Sequence, residues 1–125
     1  MSGAPTLLVV DDEPLNVDLI RRIVEETSLP VRFVVASNGL DALAQARALR
    51  PALVLMDLKI PGLDGLEATR RLKADPATAG IPVVALTAQA MTGDRERALG
   101  AGCDGYITKP IDVRSVIELL KAHLA

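Results

Sequence analysis

The stretch Leu53-Val54-Leu55-Met56-Asp57-Leu58-Lys59-Ile60-Pro61-Gly62-Leu63-Asp64-Gly65 decides how the chain is read. An unbroken apolar run ends at an acid. Asp64 stands three residues ahead of Glu67, the spacing of a capping box, before a helix carrying Leu66 and Leu72. A strand without polar alternation is one covered on both faces, as in a parallel sheet under helices.

The same unit recurs outward in both directions. Apolar runs lie at Thr6 to Val10, Val31 to Ala36, Leu53 to Met56, Pro82 to Leu86 and Tyr106 to Thr108, each followed by helical spacing. Asp12-Glu13-Pro14 offers a capping acid and a first-turn proline ahead of Leu19, Ile20, Ile23 and Val24. Asn38 precedes Leu40, Leu43 and an alanine-rich stretch to Leu49, and Asp112 precedes Val113, Val116, Ile117, Leu120 and Leu124. The fourth helix, Met91 to Leu99, has the polar middle Thr92-Gly93-Asp94-Arg95-Glu96-Arg97 and is expected to pack loosely. Helices should stop before Pro30, Pro51 and Pro76 and at Gly100 and Gly102. Five strand-helix units predict a doubly wound α/β fold, one domain over residues 1–125 with its core in 6–124.

Composition narrows the function. A chain of 125 residues is one domain's worth, able to bury roughly two thirds of its unfolded surface. Half the residues are hydrophobic but only 2% are aromatic, so the core is Val, Leu, Ile and Ala, and base-stacking platforms are excluded. With 14 basic and 16 acidic side chains there is no basic stripe for nucleic acid phosphates. Cys103 has no disulfide partner, and with His123 as the lone histidine it cannot make an N/S zinc site; both read as packing and surface residues. No apolar stretch reaches membrane-spanning length and MSGAPT is no secretory signal, so a cytoplasmic protein with no membrane partner is expected.

The polar residues fall at strand ends. The first strand ends in Asp11-Asp12-Glu13, the third in Asp57, the fourth in Thr87 and the fifth in Thr108-Lys109-Pro110. Open parallel sheets bind ligands beyond the carboxyl ends of their strands. Carboxylates gathered there raise one another's pKa unless a cation joins them, and a hard oxygen-liganded ion, Mg²⁺ (or Mn²⁺), suits the cluster. Lys109 adds a compact positive charge and Thr87 a hydroxyl, both suited to phosphoryl oxygens. These are parts for phosphoryl transfer onto Asp57, a carboxylate that needs no general base.

The motifs Val10-Asp11-Asp12-Glu13, Met56-Asp57 through Asp64-Gly65, Leu86-Thr87-Ala88 and Tyr106-Ile107-Thr108-Lys109-Pro110, in this order and spacing, resemble the CheY-like receiver domains of two-component response regulators, from Leu7 to Leu124. The resemblance implies a flavodoxin-like (βα)5 fold with strand order 2-1-3-4-5. It implies a phosphoprotein in which Asp57 accepts a phosphoryl group from a sensor histidine kinase or a histidine phosphotransfer protein. By the same resemblance Asp12 binds Mg²⁺ directly, Asp11 through water, and Lys59 through its backbone carbonyl. Thr87 and Lys109 bind the phosphoryl oxygens, Thr87 moving inward. Tyr106 changes rotamer to alter a surface for a downstream protein, the Lys109-Pro110 bond is cis, and Lys59 and Gln89 tune the acyl phosphate's lifetime. The protein would not be an enzyme beyond its own phosphorylation and dephosphorylation, and would be a monomer or weak homodimer.

Taken singly, each residue has a plainer reading: Asp12 a helix cap, Asp57 a loop acid, Thr87 a strand former, Lys109 a surface lysine, Tyr106 part of the core. Their joint placement at four strand ends outweighs those readings. The alternatives are a phosphorelay shuttle or hybrid-kinase receiver, a flavodoxin-like cofactor protein, and an aspartyl-phosphate phosphatase. The flavin reading lacks a glycine-rich phosphate loop after the first strand, and the phosphatase wants an acid where Lys59 stands.

Overall fold

Five β-strands and five α-helices alternate along the computed structural model, which describes residues 4–87 and 93–125. They are β1 (Thr6–Val10), α1 (Pro14–Thr27), β2 (Arg32–Ala36), α2 (Gly39–Leu49), β3 (Leu53–Asp57), α3 (Gly65–Ala74), β4 (Val83–Thr87), α4 (Asp94–Ala101), β5 (Gly105–Thr108) and α5 (Val113–Leu124). All strand pairs are parallel, in the order β2-β1-β3-β4-β5. Strand bounds move by a residue from those expected, because β3 and β4 run on to include Asp57 and Thr87 themselves.

The apolar runs do what their lack of alternation requires. Every residue of β1, β3 and β4 is buried, whereas the edge strands β2 and β5 are only half covered. Alternate strand residues feed two cores. Leu8, Val10, Val54, Met56, Val83 and Ala85 pack under α2, α3 and α4, while Leu7, Val9, Leu55 and Leu86 pack under α1 and α5. The order turns back at β1 and β3, so the chain winds both ways from the sheet's centre and leaves a crevice at their carboxyl ends.

Several local expectations are corrected. Asp12 is not the N-cap of α1: Glu13 holds that position without a side-chain cap, and Pro14 begins the helix. The Asp64 box is half formed, since Asp64 Oδ1 accepts the Glu67 amide at 2.8 Å while the Glu67 carboxylate turns to Arg70 and Arg71. Asp112, by contrast, is the N-cap of α5 as expected, and its carboxylate accepts the Ser115 hydroxyl. Leu40 is 64% exposed, because the residues α2 buries are the small ones, Gly39, Ala42 and Ala46. Gly100 lies inside α4, which ends at the left-handed Gly102. The expected start of that helix at Met91 and Thr92 lies outside the described residues, as does Gln89. No helix among the described residues is long and apolar enough to cross a membrane.

Candidate functional site

Each polar residue of the crevice is placed by the strand it ends. Asp11 follows β1, and its amide continues the ladder to the Ala36 carbonyl at 3.0 Å. Its side chain is buried, and Oδ1 accepts the Glu13 amide at 2.9 Å, which bends the chain into α1. Asp57 is the last residue of β3 and is also buried; Oδ1 accepts the Lys59 amide at 3.0 Å. Asp12 stands exposed on the rim. One carboxylate oxygen from each of Asp11, Asp12 and Asp57 falls within a single 4.8 Å cluster.

Across the crevice Lys109 enters from the end of β5, its own amide bonded to the Thr87 carbonyl at 2.6 Å. Its ammonium donates to Asp57 Oδ2 at 3.0 Å and lies 3.7 Å from Asp11 Oδ2. The Lys109–Pro110 bond is cis. Thr87 closes β4 with its hydroxyl buried and without a hydrogen-bond partner among the described residues, and Asp11 Oδ2 likewise accepts no hydrogen bond. Lys59 is exposed, and Tyr106 is half buried on β5 with the Arg95 guanidinium 5.4 Å from its ring centre.

The electrostatics are dominated by the clustered acids. Burial pushes the Asp11 carboxyl up, the Glu13 amide pulls it down, and the neighbouring Asp57 carboxylate raises it further. Lys109 lowers it without cancelling the rise. The Lys109 ammonium pairs with two of the three carboxylates, Asp57 and more distantly Asp11, and among the described residues Oδ2 of Asp11 is a buried acceptor without a hydrogen bond. An all-oxygen cluster on a crevice rim is the donor set a hard divalent cation takes.

Sequence reasoning missed Gly65, the first residue of α3. A Cβ there would stand 2.4 Å from the Asp57 carbonyl oxygen and 2.7 Å from the Leu58 Cα, so only glycine lets α3 press against the end of β3. The sequence carried a faint signal, a glycine directly after the cap Asp64, where helix propensity favours almost any other residue.

Known proteins share this fold. The family described as response regulator receiver domain matches residues 7–121. The polar-differentiation response regulator DivK of Brucella anthropi is 44% identical over 119 residues, spanning 95% of this chain and 95% of that protein. The receiver domain of a sensor histidine kinase from Pseudomonas aeruginosa PAO1, solved with a magnesium ion in its active site cleft, superposes with a TM-score of 0.87 at 34% identity and 98% coverage of both chains. A response regulator fold from Chloroflexus aurantiacus J-10-fl gives 0.88 at 26% identity, covering 97% of this chain and 98% of that one. With a match across nearly the whole chain and a relative of this identity, the protein belongs to the response regulator receiver domains of two-component signalling.

Proposed function

We propose that Asp57 is the phosphoacceptor of this receiver and that Asp11, Asp12, Asp57 itself and the Lys59 carbonyl hold Mg²⁺. The observation that carries the reading is the three-carboxylate cluster with Lys109 Nζ 3.0 Å from Asp57 Oδ2. Mg²⁺, when bound, neutralises the acids and the charge on the transferring group.

The chain's own residues do the rest. Asp57 Oδ2 attacks phosphorus as the bond to the donor's histidine nitrogen breaks, and the imidazole leaves with the electron pair. Asp57 is aimed by the Lys59 amide on Oδ1, which leaves Oδ2 as the nucleophile. The Lys109 ammonium, now paired with that oxygen, passes to the phosphoryl oxygens as the carboxylate becomes an ester-like acyl group. The unpartnered Thr87 hydroxyl donates to another phosphoryl oxygen. Thr87 pairs with Thr108 and Ala85 with Tyr106 in the β4–β5 register, so a shift at Thr87 acts on the strand that carries Tyr106. The donor is a histidine kinase or phosphotransfer protein, and the output is an altered protein-binding surface around α4, β5 and α5, in a single domain working in the cytoplasm.

A second reading, a relay receiver that hands the group onward to another histidine, is favoured by the likeness to the kinase-borne receiver from P. aeruginosa at 34% identity. Incubation with acetyl phosphate tests the shared chemistry. A single phosphoryl adduct should form with Mg²⁺, fail to form in EDTA, and be released by hydroxylamine, as an acyl phosphate is. A hydroxylamine-stable adduct contradicts the proposal.

A further inference from the structure

We infer that Gly39, at the start of α2, is a positioning residue for the phosphoacceptor site, acting through the backbone of the β3–α3 loop. Gly39 belongs to neither the acids nor the strand ends of the site. A Cβ at Gly39 would stand 2.1 Å from the Leu63 carbonyl oxygen and 2.9 Å from the Leu63 carbonyl carbon and Cβ. Contacts that short do not occur, so the loop seats on α2 only because residue 39 has no side chain. Gly39 is buried, and the start of its helix is capped by Asn38, whose Oδ1 accepts the Asp41 amide at 2.8 Å.

The seat matters because of what the loop carries. Residues 58–64 leave the site at Asp57, supply the Lys59 backbone and return at Asp64. Near Asp57 the loop is tied by the Leu58 amide to the Leu86 carbonyl at 3.3 Å and by the Gly65 amide to the Leu58 carbonyl at 3.2 Å. The buried side chains of Leu58 and Ile60 hold it to the core. The turn beyond them bends at Gly62, whose φ is +73° and which has open space around it. Gly39 under Leu63 is therefore the brace on the far side of that free turn. With Gly65 under Asp57 it grips the loop at both ends, each time through the first residue of a helix.

The inference rests on the reading above, in which the Lys59 carbonyl is a magnesium ligand. Gly39→Ala should keep the wild-type far-UV spectrum and cooperative unfolding. Its Mg²⁺ affinity, read by titration calorimetry without any phosphodonor, should fall about tenfold, the usual loss when a ligand's support is removed. Ala46→Gly, on the same buried face of α2, should lower the melting temperature and leave Mg²⁺ affinity unchanged. If Gly39→Ala fails to fold, Asn38→Ala loosens the same helix start without a clash and should weaken Mg²⁺ binding in the same direction. Unchanged affinity in the folded Gly39→Ala or, in its place, Asn38→Ala, or an equal loss in Ala46→Gly, overturns the inference. A wild-type chain that binds no Mg²⁺ overturns the functional reading itself and this inference with it.

Discussion

Asp11 and Asp104 lie at opposite ends of the sheet and titrate in opposite directions. At the carboxyl end, burial and then the nearby Asp57 carboxylate hold the Asp11 pKa above its ordinary value, against the Glu13 amide. Between the ordinary carboxylate range and that raised value the folded chain binds more protons than the unfolded one, so stability falls as pH rises through the window. Asp11→Asn removes the buried charge. In EDTA at neutral pH it should raise the melting temperature by about 3–6 °C, on the order of 1 kcal/mol. It should also blunt the stabilisation that Mg²⁺ gives the wild type, as followed by differential scanning calorimetry. A lower melting temperature in EDTA would contradict the account of the cluster. Lys59 makes a second case: its side chain is exposed and its amide is bonded to Asp57 Oδ1, so a long cation is borne two residues from the proposed phosphoacceptor. Lys59→Asn should shorten the lifetime of the phosphorylated form several-fold in a dephosphorylation time course, because nothing then covers the group from water. An unchanged rate would remove Lys59 from the account.

Between elements, the tie that matters most away from the site is Lys73. From α3 its ammonium donates to the Ile81 carbonyl at 2.7 Å and the Ala79 carbonyl at 3.3 Å, and pairs with Asp104 Oδ2 at 2.9 Å. Asp104 Oδ2 in turn accepts the Val83 amide at 2.8 Å, so one pair of side chains joins α3, the start of β4 and the start of β5. Burial pushes Asp104 up, but the Val83 amide and the Lys73 ammonium outweigh it, and its pKa is lowered. A lowered carboxyl stabilises the fold above its unfolded pKa and loses that contribution as pH falls toward the folded value. Asp104→Asn should therefore flatten the acid limb of a melting-temperature profile below about pH 4 and lower stability at pH 7. An unchanged acid limb would show that the tie is not formed in solution.

The elements themselves were legible where the physics is local. Unbroken apolar runs marked β1, β3 and β4 because both of their faces are buried, and Pro14 marked the start of α1 because its fixed φ suits a first turn. The candidate site was picked out by the same local signal, since Asp57 and Thr87 are the points where buried strands turn polar. What stayed hidden depends on long-range packing. Nothing in the α2 segment announces that Leu40 faces out and Gly39 faces Leu63, because the apolar face of a short, alanine-rich helix is set by what it packs against. The strand order came only from the resemblance, since alternation of strands and helices fits several parallel orders. Lys73 and Asp104, 31 residues apart, carry no sequence sign of their pairing.

At the scale of the molecule, the two cores make the sheet a stiff partition whose carboxyl edge carries every group of the site. The proposed switch runs along that edge, where Thr87 on β4 stands opposite Thr108, two residues beyond Tyr106 on β5. Tyr106 is the only tyrosine and there is no tryptophan, so its environment is read directly by near-ultraviolet circular dichroism. With Mg²⁺ and acetyl phosphate the tyrosine band should change in the wild type and stay fixed in Asp57→Asn. A band that never moves would leave Tyr106 a packing residue. Phosphorylation of this receiver on Asp57 is read by intact mass after acetyl phosphate and Mg²⁺. The account predicts one added phosphoryl group on the wild type and none on Asp57→Asn; an adduct retained by Asp57→Asn, or no adduct on either, would contradict it.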